Sequence, residues 1–511
     1  MSNSSSQIRL GTVLSYINLA VGNIIPMFYT PVMLEMLGQS EYGLYTLAHS
    51  VVGYLSLLSF GIGGTIVRYL ARSRAENNKS EEARIFGLFI KIYSVLAVLV
   101  LIVGGLVASE VEFFFKKSIT AADIEKMRRL VLMMTLNTAI TFPTSVFSSV
   151  IIANEQFVFN KLISMLSTVL APCLNIILLY CGFGSIGMTF SSTILTVVTF
   201  VGDLIYCCAV IGLKPCFQKT SVGILREIIQ FSAFVFLGEL VNMLYWATDK
   251  VLLGAMVGTE AVAVYNVGAT FNSVMQSLGT GVGSLFTPRV VINAVQGDNA
   301  YLDELFHKIG RIQFYIISLI LTGFAVFGRQ FIELWVGSEY REAYTVALLV
   351  MIPLGIPLIQ SIALQIITAK NKHQFRAILF LLVAVLNIIG TILLIPSKGI
   401  IGAALATCIA YLIGPVFIMN WYYLKKIGID IKGFWINILK ISPVSLLLLV
   451  GGLSITGYVS LDSWSALFTG IVIYTLLYCI LNWRFSMNTY EKEIFLKPLQ
   501  KIKTKFGGHT K

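Results

Sequence analysis

Ionisable and hydrogen-bonding side chains set inside apolar runs are the residues with chemistry to offer. A carboxylate or cation in hydrocarbon costs about 2.5–3.5 kcal/mol on insertion scales, so each one needs a reason. Glu239 lies near the middle of an apolar run, with Asp249 and Lys250 towards its far end. At roughly 100° per residue, Glu239, Met243, Trp246 and Lys250 share one stripe of a helix, and Asn242 flanks it. Glu239 and Lys250 would be about 16 Å apart along that helix, too far to neutralise each other. Glu239 is expected to face a cavity, where it binds substrate or a coupling ion. The alternative is a structural carboxyl bonded to a neighbouring helix. Asp249 is expected in an interfacial ion pair.

A second group is hydroxyl-rich. Asn266, Ser273, Gln276, Ser277, Thr280, Ser284 and Thr287 recur at helical steps, while Phe271, Val274, Leu278, Val282 and Leu285 fill other faces. Such groups both donate and accept, which suits sugar hydroxyls, although interhelical hydrogen bonding would use them equally well. Arg68 and Arg289 close two apolar runs, and guanidinium groups hold phosphate through fixed paired donors. Topological anchoring is the other reading for both. His49 and Lys91 are weaker binding candidates, and Asp203 is expected to be structural.

These residues need helices in a membrane to position them. A spanning helix takes roughly 20 mostly apolar residues. Fourteen such stretches occur, at 10–34, 42–69, 86–108, 129–153, 160–181, 185–212, 228–256, 261–292, 310–328, 343–368, 376–395, 399–424, 435–458 and 465–483. The split near Gly184 is the least marked. With 57% hydrophobic and 12% charged residues, the 511-residue chain reads as an all-α polytopic membrane protein. An even span number places both termini on one side, which also carries most of the 37 Lys and Arg. That side is expected to be cytoplasmic, in a cell inner membrane. The net charge of +12 follows from this bias and from attraction to anionic membrane lipids, not from nucleic-acid binding. The run after the polar residues 1–10 reads as a retained first span rather than a signal peptide. The seven cysteines form no Cys-x-x-Cys pair, and Walker, nucleophile-elbow and metal-ligand motifs are absent, so no cofactor or metal is expected. The connection from Glu110 to Arg128 reads as a short interfacial helix.

The chain also repeats. At an offset of 220, Gly38 falls on Gly258, Tyr45 on Tyr265, Leu58 on Leu278, Gly61 on Gly281 and Gly63 on Gly283. Later, Leu174-Asn175-Ile176-Ile177 with Gly184 and Gly187 echoes Leu386-Asn387-Ile388-Ile389 with Gly399 and Gly402. Spans 1–6 therefore pair with spans 7–12 in parallel topology, with a path expected between two bundles. The expected organisation is a six-helix bundle at 1–213, a second at 214–426, spans 13 and 14 at 427–484, and a basic tail at 485–511. Gly61-Ile62-Gly63-Gly64 suits close helix packing, or a hinge.

Leu37-Gly38-Gln39-Ser40-Glu41-Tyr42-Gly43-Leu44-Tyr45, followed by Ser59-Phe60-Gly61-Ile62-Gly63-Gly64-Thr65-Ile66-Val67-Arg68-Tyr69, resembles the polysaccharide-transport branch of the multidrug/oligosaccharidyl-lipid/polysaccharide exporter superfamily, which includes the Wzx-type flippases. Thr248-Asp249-Lys250-Val251-Leu252-Leu253-Gly254, then Gly258 and Tyr265, is similar to its seventh-span signature. The resemblance implies a MATE-like V-shaped pair of six-helix bundles and transport of an undecaprenyl-diphosphate-linked oligosaccharide for surface polysaccharide biosynthesis. Alternating access is then expected, with proton or sodium as possible coupling ion and polysaccharide polymerase machinery as a neighbour. Rival readings are a drug/cation antiporter of the same superfamily and a membrane-embedded glycan polymerase. The first needs an acidic cavity, whereas the candidates here mix Arg68, Arg289 and Lys250 with Glu239. The second needs a long external loop with catalytic Arg or His. A structural scaffold would explain neither the intramembrane charge nor the repeat.

Overall fold

The computed structural model describes residues 2–218, 222–372, 374–459, 461–493 and 496; among them there are helices and no strand. In chain order these are α1 (Ser2–Gly53), α2 (Gly63–Ala75), α3 (Lys79–Phe115), α4 (Ala121–Ala153), α5 (Phe157–Tyr180) and α6 (Gly184–Ile205). Then come α7 (Val222–Trp246), α8 (Thr248–Met256), α9 (Thr259–Ser284), α10 (Thr287–Gln296), α11 (Asn299–Val336) and α12 (Glu342–Ile359). The last are α13 (Ser361–Ala369), α14 (Gln374–Tyr411), α15 (Met419–Tyr422), α16 (Ile431–Thr456) and α17 (Trp464–Phe485). Large apolar side chains such as Val95, Leu439, Leu447 and Ile473 lie exposed along these helices, as lipid-facing surfaces require. The chain is a multi-pass membrane protein.

Ten helical runs among the described residues are long and apolar enough to cross a bilayer. Two of them, Val13–Ala75 and Gln374–Ile427, suffice for two crossings each and are bent at Gly38 (φ 74°) and Gly399 (φ 55°). Twelve of the fourteen expected stretches therefore lie on these ten runs, and 228–256 and 261–292 lie on α7–α8 and α9–α10. The split near Gly184 is real: α5 ends at Tyr180, and Gly182 and Gly184 both take positive φ.

Three expectations need correction. The stretch 42–69 is not one helix; it tightens into a 3-10 segment at Tyr54–Ser59 and turns through left-handed Phe60 and Gly61 before α2. A Cβ on Gly61 would lie 2.7 Å from the Phe236 amide nitrogen, so the turn seats directly on α7. The stretch 261–292 breaks at Leu285–Phe286, where Pro288, lacking an N–H, opens α10 instead of continuing α9. No separate interfacial helix occupies 110–128. α3 runs on to Phe115 and α4 begins at Ala121, capped by Thr120, whose hydroxyl accepts from the Asp123 N–H at 3.3 Å. The charges at the start of α4 pair within that helix, Arg128 with Glu125 at 3.1 Å and Arg129 with Glu125 at 3.2 Å, and Arg128 also reaches Glu112 on α3 at 4.0 Å.

The repeat is written into the backbone. Positive φ recurs at Gly38 and Gly258, at Asn77 and Gly297, at Glu155 and Asn371, at Gly184 and Gly399, and at Gly212 and Gly428. The last pair each closes a π-helical segment, Tyr206–Ile211 and Tyr423–Ile427. Asn175 and Asn387 each take a hydroxyl hydrogen bond from the following span, from Ser191 and from Thr407.

By compactness the chain divides into one unit of Met1–Asn266 with Ile388–Ala403, and another of Val267–Asn387 with Ala404–Lys511. The division follows proximity and differs from the 1–213 and 214–426 expected from the repeat. The first unit is cored by Ile66, Leu70, Phe86, Phe89 and Met127; the second by Phe306, Phe434, Tyr340 and Ile366. In the second unit Arg311 is gripped by Glu491 at 2.5 Å and by the Ser486 carbonyl at 3.0 Å, tying the segment after α17 to α11.

Candidate functional site

A polar network lies in the first unit where α1 meets α8 and α9. It exists because backbones come close there. A Cβ on Gly43 would overlap the Thr259 carbonyl, and Gly254 gives Leu47 its space. Tyr42 and His49, seven residues apart, lie on the same side of α1. Lys250 Nζ donates to Asn266 Oδ1 at 3.2 Å, and Asn266 Nδ2 donates to the Tyr42 hydroxyl at 2.7 Å. His49 is exposed and within electrostatic range of the Lys250 ammonium. Below them the hydroxyls of Tyr54 and Thr248 meet at 2.5 Å.

Asp249 and Lys250 part company on α8. The Asp249 carboxylate is 1% exposed and accepts from the Tyr265 hydroxyl at 2.6 Å and the Thr391 hydroxyl at 3.1 Å. Hydroxyl donors from α9 and α14 thus hold the carboxylate that sequence reasoning assigned to an interfacial ion pair. Lys250 is half-buried, with a single amide oxygen for a partner among its described hydrogen bonds. An ammonium has three donors, so it retains capacity for an anionic or hydroxylated ligand.

The other expected residues are dispersed. Glu239 and Asn242 are exposed on α7, and Arg68 is exposed on α2, all in the first unit. Arg289 is exposed on α10 in the second unit, which also holds Ser273, Gln276 and Thr280 on α9. Ser273 and Thr280 are exposed and donate to their own helix, to Ala269 at 3.2 Å and Gln276 at 2.9 Å, which leaves their lone pairs to accept. Lys91 donates to the Phe217 carbonyl at 2.6 Å, and Asp203 is buried. His49 lies within electrostatic range of Lys250, and the set as a whole is not clustered. Tyr42, Tyr54 and Thr248 were missed by sequence reasoning, although Tyr42 lies one heptad before His49.

Comparison with known proteins gives a consistent picture. Residues 11–289 match the family model described as polysaccharide biosynthesis protein. A probable low-salt glycan biosynthesis flippase, Agl15 of Haloferax volcanii, is 23% identical over 269 residues, 52% of this chain and 54% of that protein. The uncharacterized membrane protein MJ1068 of Methanocaldococcus jannaschii is 23% identical over 221 residues, 42% of this chain and 43% of that one. The chain thus spans about half the length of the curated relatives it matches. Among solved structures, the lipid II flippase MurJ in an inward closed conformation superposes with a TM-score of 0.74 at 17% identity, covering 96% of this chain and 99% of that one. A multidrug resistance MATE family transporter in its inward-facing conformation gives 0.66 at 14% identity, covering 80% and 97%. Likeness at this identity shows the fold: that of the MurJ and MATE transporters.

Proposed function

The chain belongs to the polysaccharide biosynthesis protein family, and on that premise we propose that it is a flippase moving an undecaprenyl-diphosphate-linked oligosaccharide across the cytoplasmic membrane. The observation that carries the reading is the Lys250–Asn266–Tyr42 network with His49 beside it, a cationic and hydrogen-bonding patch set among membrane-spanning helices. Such a patch suits a ligand with phosphate and sugar hydroxyls better than a cationic drug, which calls for carboxylates. The halves 1–213 and 214–426 would alternate access, with both termini cytoplasmic. Arg68 and Arg289 would receive the diphosphate, and Ser273, Gln276, Thr280 and Asn242 would serve the glycan. Glu239 would carry a coupling proton or sodium ion. The membrane potential also favours outward movement of negative charge, by about 2.3 kcal/mol per charge per 100 mV.

The test is flipping of a polyprenyl-diphosphate-linked oligosaccharide by purified protein in vesicles. Wild type should expose the glycan to the far leaflet, and Lys250→Met should slow this roughly tenfold or more, the worth of a charge-assisted bond. Arg68→Ala with Arg289→Ala should weaken loading. Wild type that leaves the lipid in place yet exchanges an organic cation for protons would overturn the reading in favour of an antiporter.

A further inference from the structure

One corner of the molecule is built twice, and the two copies differ at a single telling position. In the first unit the start of α5 stacks on the π-helical segment after α6: Phe159 lies on Tyr206 with ring centroids 3.8 Å apart and planes 15° apart. The Tyr206 hydroxyl donates to Gln156 Oε1 at 3.1 Å, on the turn before α5. In the second unit, 216 positions later, Phe375 lies on Tyr422 at 4.2 Å and 14°. The Tyr422 hydroxyl donates to the Lys372 carbonyl at 3.1 Å, on the matching turn. The next residue diverges. Asn160 is matched inside the protein, donating to the Ser148 hydroxyl at 2.8 Å. Its counterpart is Arg376.

Arg376 is half-buried, and among the described residues it has neither an ion pair nor a hydrogen bond. Its guanidinium lies over the Phe380 ring, 4.6 Å from the centroid, and the groups acting on it electrostatically are the phenols of Tyr423 and Tyr411. Among the described residues no carboxylate pairs with it. A part-buried cation without an anion is costly, and the same unit shows the usual remedy: Arg311 is met by Glu491, Tyr315 and Ser486. The contact with Phe380 leaves the five N–H donors of Arg376 without a hydrogen-bond acceptor among the described residues. The position suits a headgroup, because the polar run 370–374 gives way here to the apolar run of α14.

We propose that Arg376, backed by Phe380, is the anchor of a binding site for the phosphate of a membrane lipid at the start of α14. A bidentate guanidinium–phosphate pair would supply the missing anion, and the adjoining apolar helices would face the lipid chains. The inference stands independently of the flippase reading, since neither Lys250 nor Arg68 nor Arg289 enters it.

The experiment is native mass spectrometry of the purified full chain in detergent, titrated separately with phosphatidylglycerol, with farnesyl diphosphate, and with diacylglycerol as the phosphate-free control. Wild type should retain a phosphate-bearing lipid and not diacylglycerol. Arg376→Gln should weaken retention about tenfold or more, and Arg376→Lys should restore part of it. Preference for phosphatidylglycerol would identify a resident membrane lipid, and preference for farnesyl diphosphate a polyprenyl carrier; either supports the site. Equal retention by wild type and Arg376→Gln, or equal retention of diacylglycerol, would overturn it. A thermal titration of unmodified protein guards against misfolded variants: phosphatidylglycerol should raise Tm with saturation and diacylglycerol should not. No rise with either phosphate lipid also overturns the proposal.

Discussion

The turns at Gly38 and Gly258 are one bend put to opposite uses. Both glycines take positive φ, 74° and 132°, and both open a helical stretch. Past Gly38 come Glu41, Tyr42 and Gly43; past Gly258 the matching positions are Ala261, Val262 and Ala263, all buried. The first turn reaches outward: Glu41 accepts from the Ser185 N–H at 2.7 Å and pairs with Lys126 at 2.7 Å. It also recedes, because the backbone of the second turn enters at Gly43, and the Ser40 and Thr259 hydroxyls meet at 2.9 Å. When two copies of a bend pack together in this way, one must yield space and the other fill it. Glycine marks the copy that yields.

The largest effect should come from reversing those roles. Gly43→Val places a branched side chain into the Thr259 carbonyl, which is backbone and cannot step aside like a flexible side chain. Folded, monodisperse protein should be lost on size-exclusion chromatography. Ala263→Gly, the same exchange run backwards, should cost only about 2 kcal/mol, from helix propensity and one buried methyl. If Gly43→Val is as mild as Ala263→Gly in thermal unfolding, the turns are interchangeable and the asymmetry means nothing.

A middle-sized effect should follow from the one carboxylate. Glu41→Ala strips the cap from the first turn of α6 and leaves Lys126 without its partner, at a cost of about 1–2 kcal/mol. A double-mutant cycle with Lys126→Ala should show coupling of about 0.5 kcal/mol or more. Purely additive losses would reduce the pair to a surface ion contact. The buried Ala261 has no such role, so a carboxylate placed there should destabilise rather than tie anything down.

Much of this architecture was legible in the sequence, for a physical reason. Spans are long-range averages over some twenty residues, and positive-φ turns prefer one residue type, so apolar length and glycine spacing reported both. The pairing of Gly38 with Gly258 and of Gly184 with Gly399 was readable as letters before it was readable as angles. Contacts across the fold were not. Asp249 looked like an interfacial ion-pair residue because Thr391, which holds it, lies 142 positions away and looks like any apolar-run threonine. Residues 110–128 looked interfacial because their charges were visible and their pairing was not. Arg376 opens the stretch 376–395 with nothing in the letters to single it out; its place over Phe380 shows only in the structure.

The smallest effects should appear where the two halves use the same chemistry. Asn78 Oδ1 accepts from the Glu81 N–H at 3.0 Å at the start of α3, and Asp298 Oδ1 accepts from the Tyr301 N–H at 3.0 Å at the start of α11. These positions are 220 apart, both are exposed, and each satisfies one orphan donor of a long helix. Asn78→Ala and Asp298→Ala should therefore each lower stability by about 1 kcal/mol. Asp298→Ala should lose a few tenths more, about 0.3–1 kcal/mol, because a charged cap also opposes the helix dipole. The two caps share no partner, so the double variant should equal the sum within about 0.5 kcal/mol. Thermal unfolding of all three variants in one detergent is the measurement. If the caps differ by as much as Gly43→Val differs from Ala263→Gly, divergence between the halves is not confined to where they touch. Matching caps would place it there, at the packed turns.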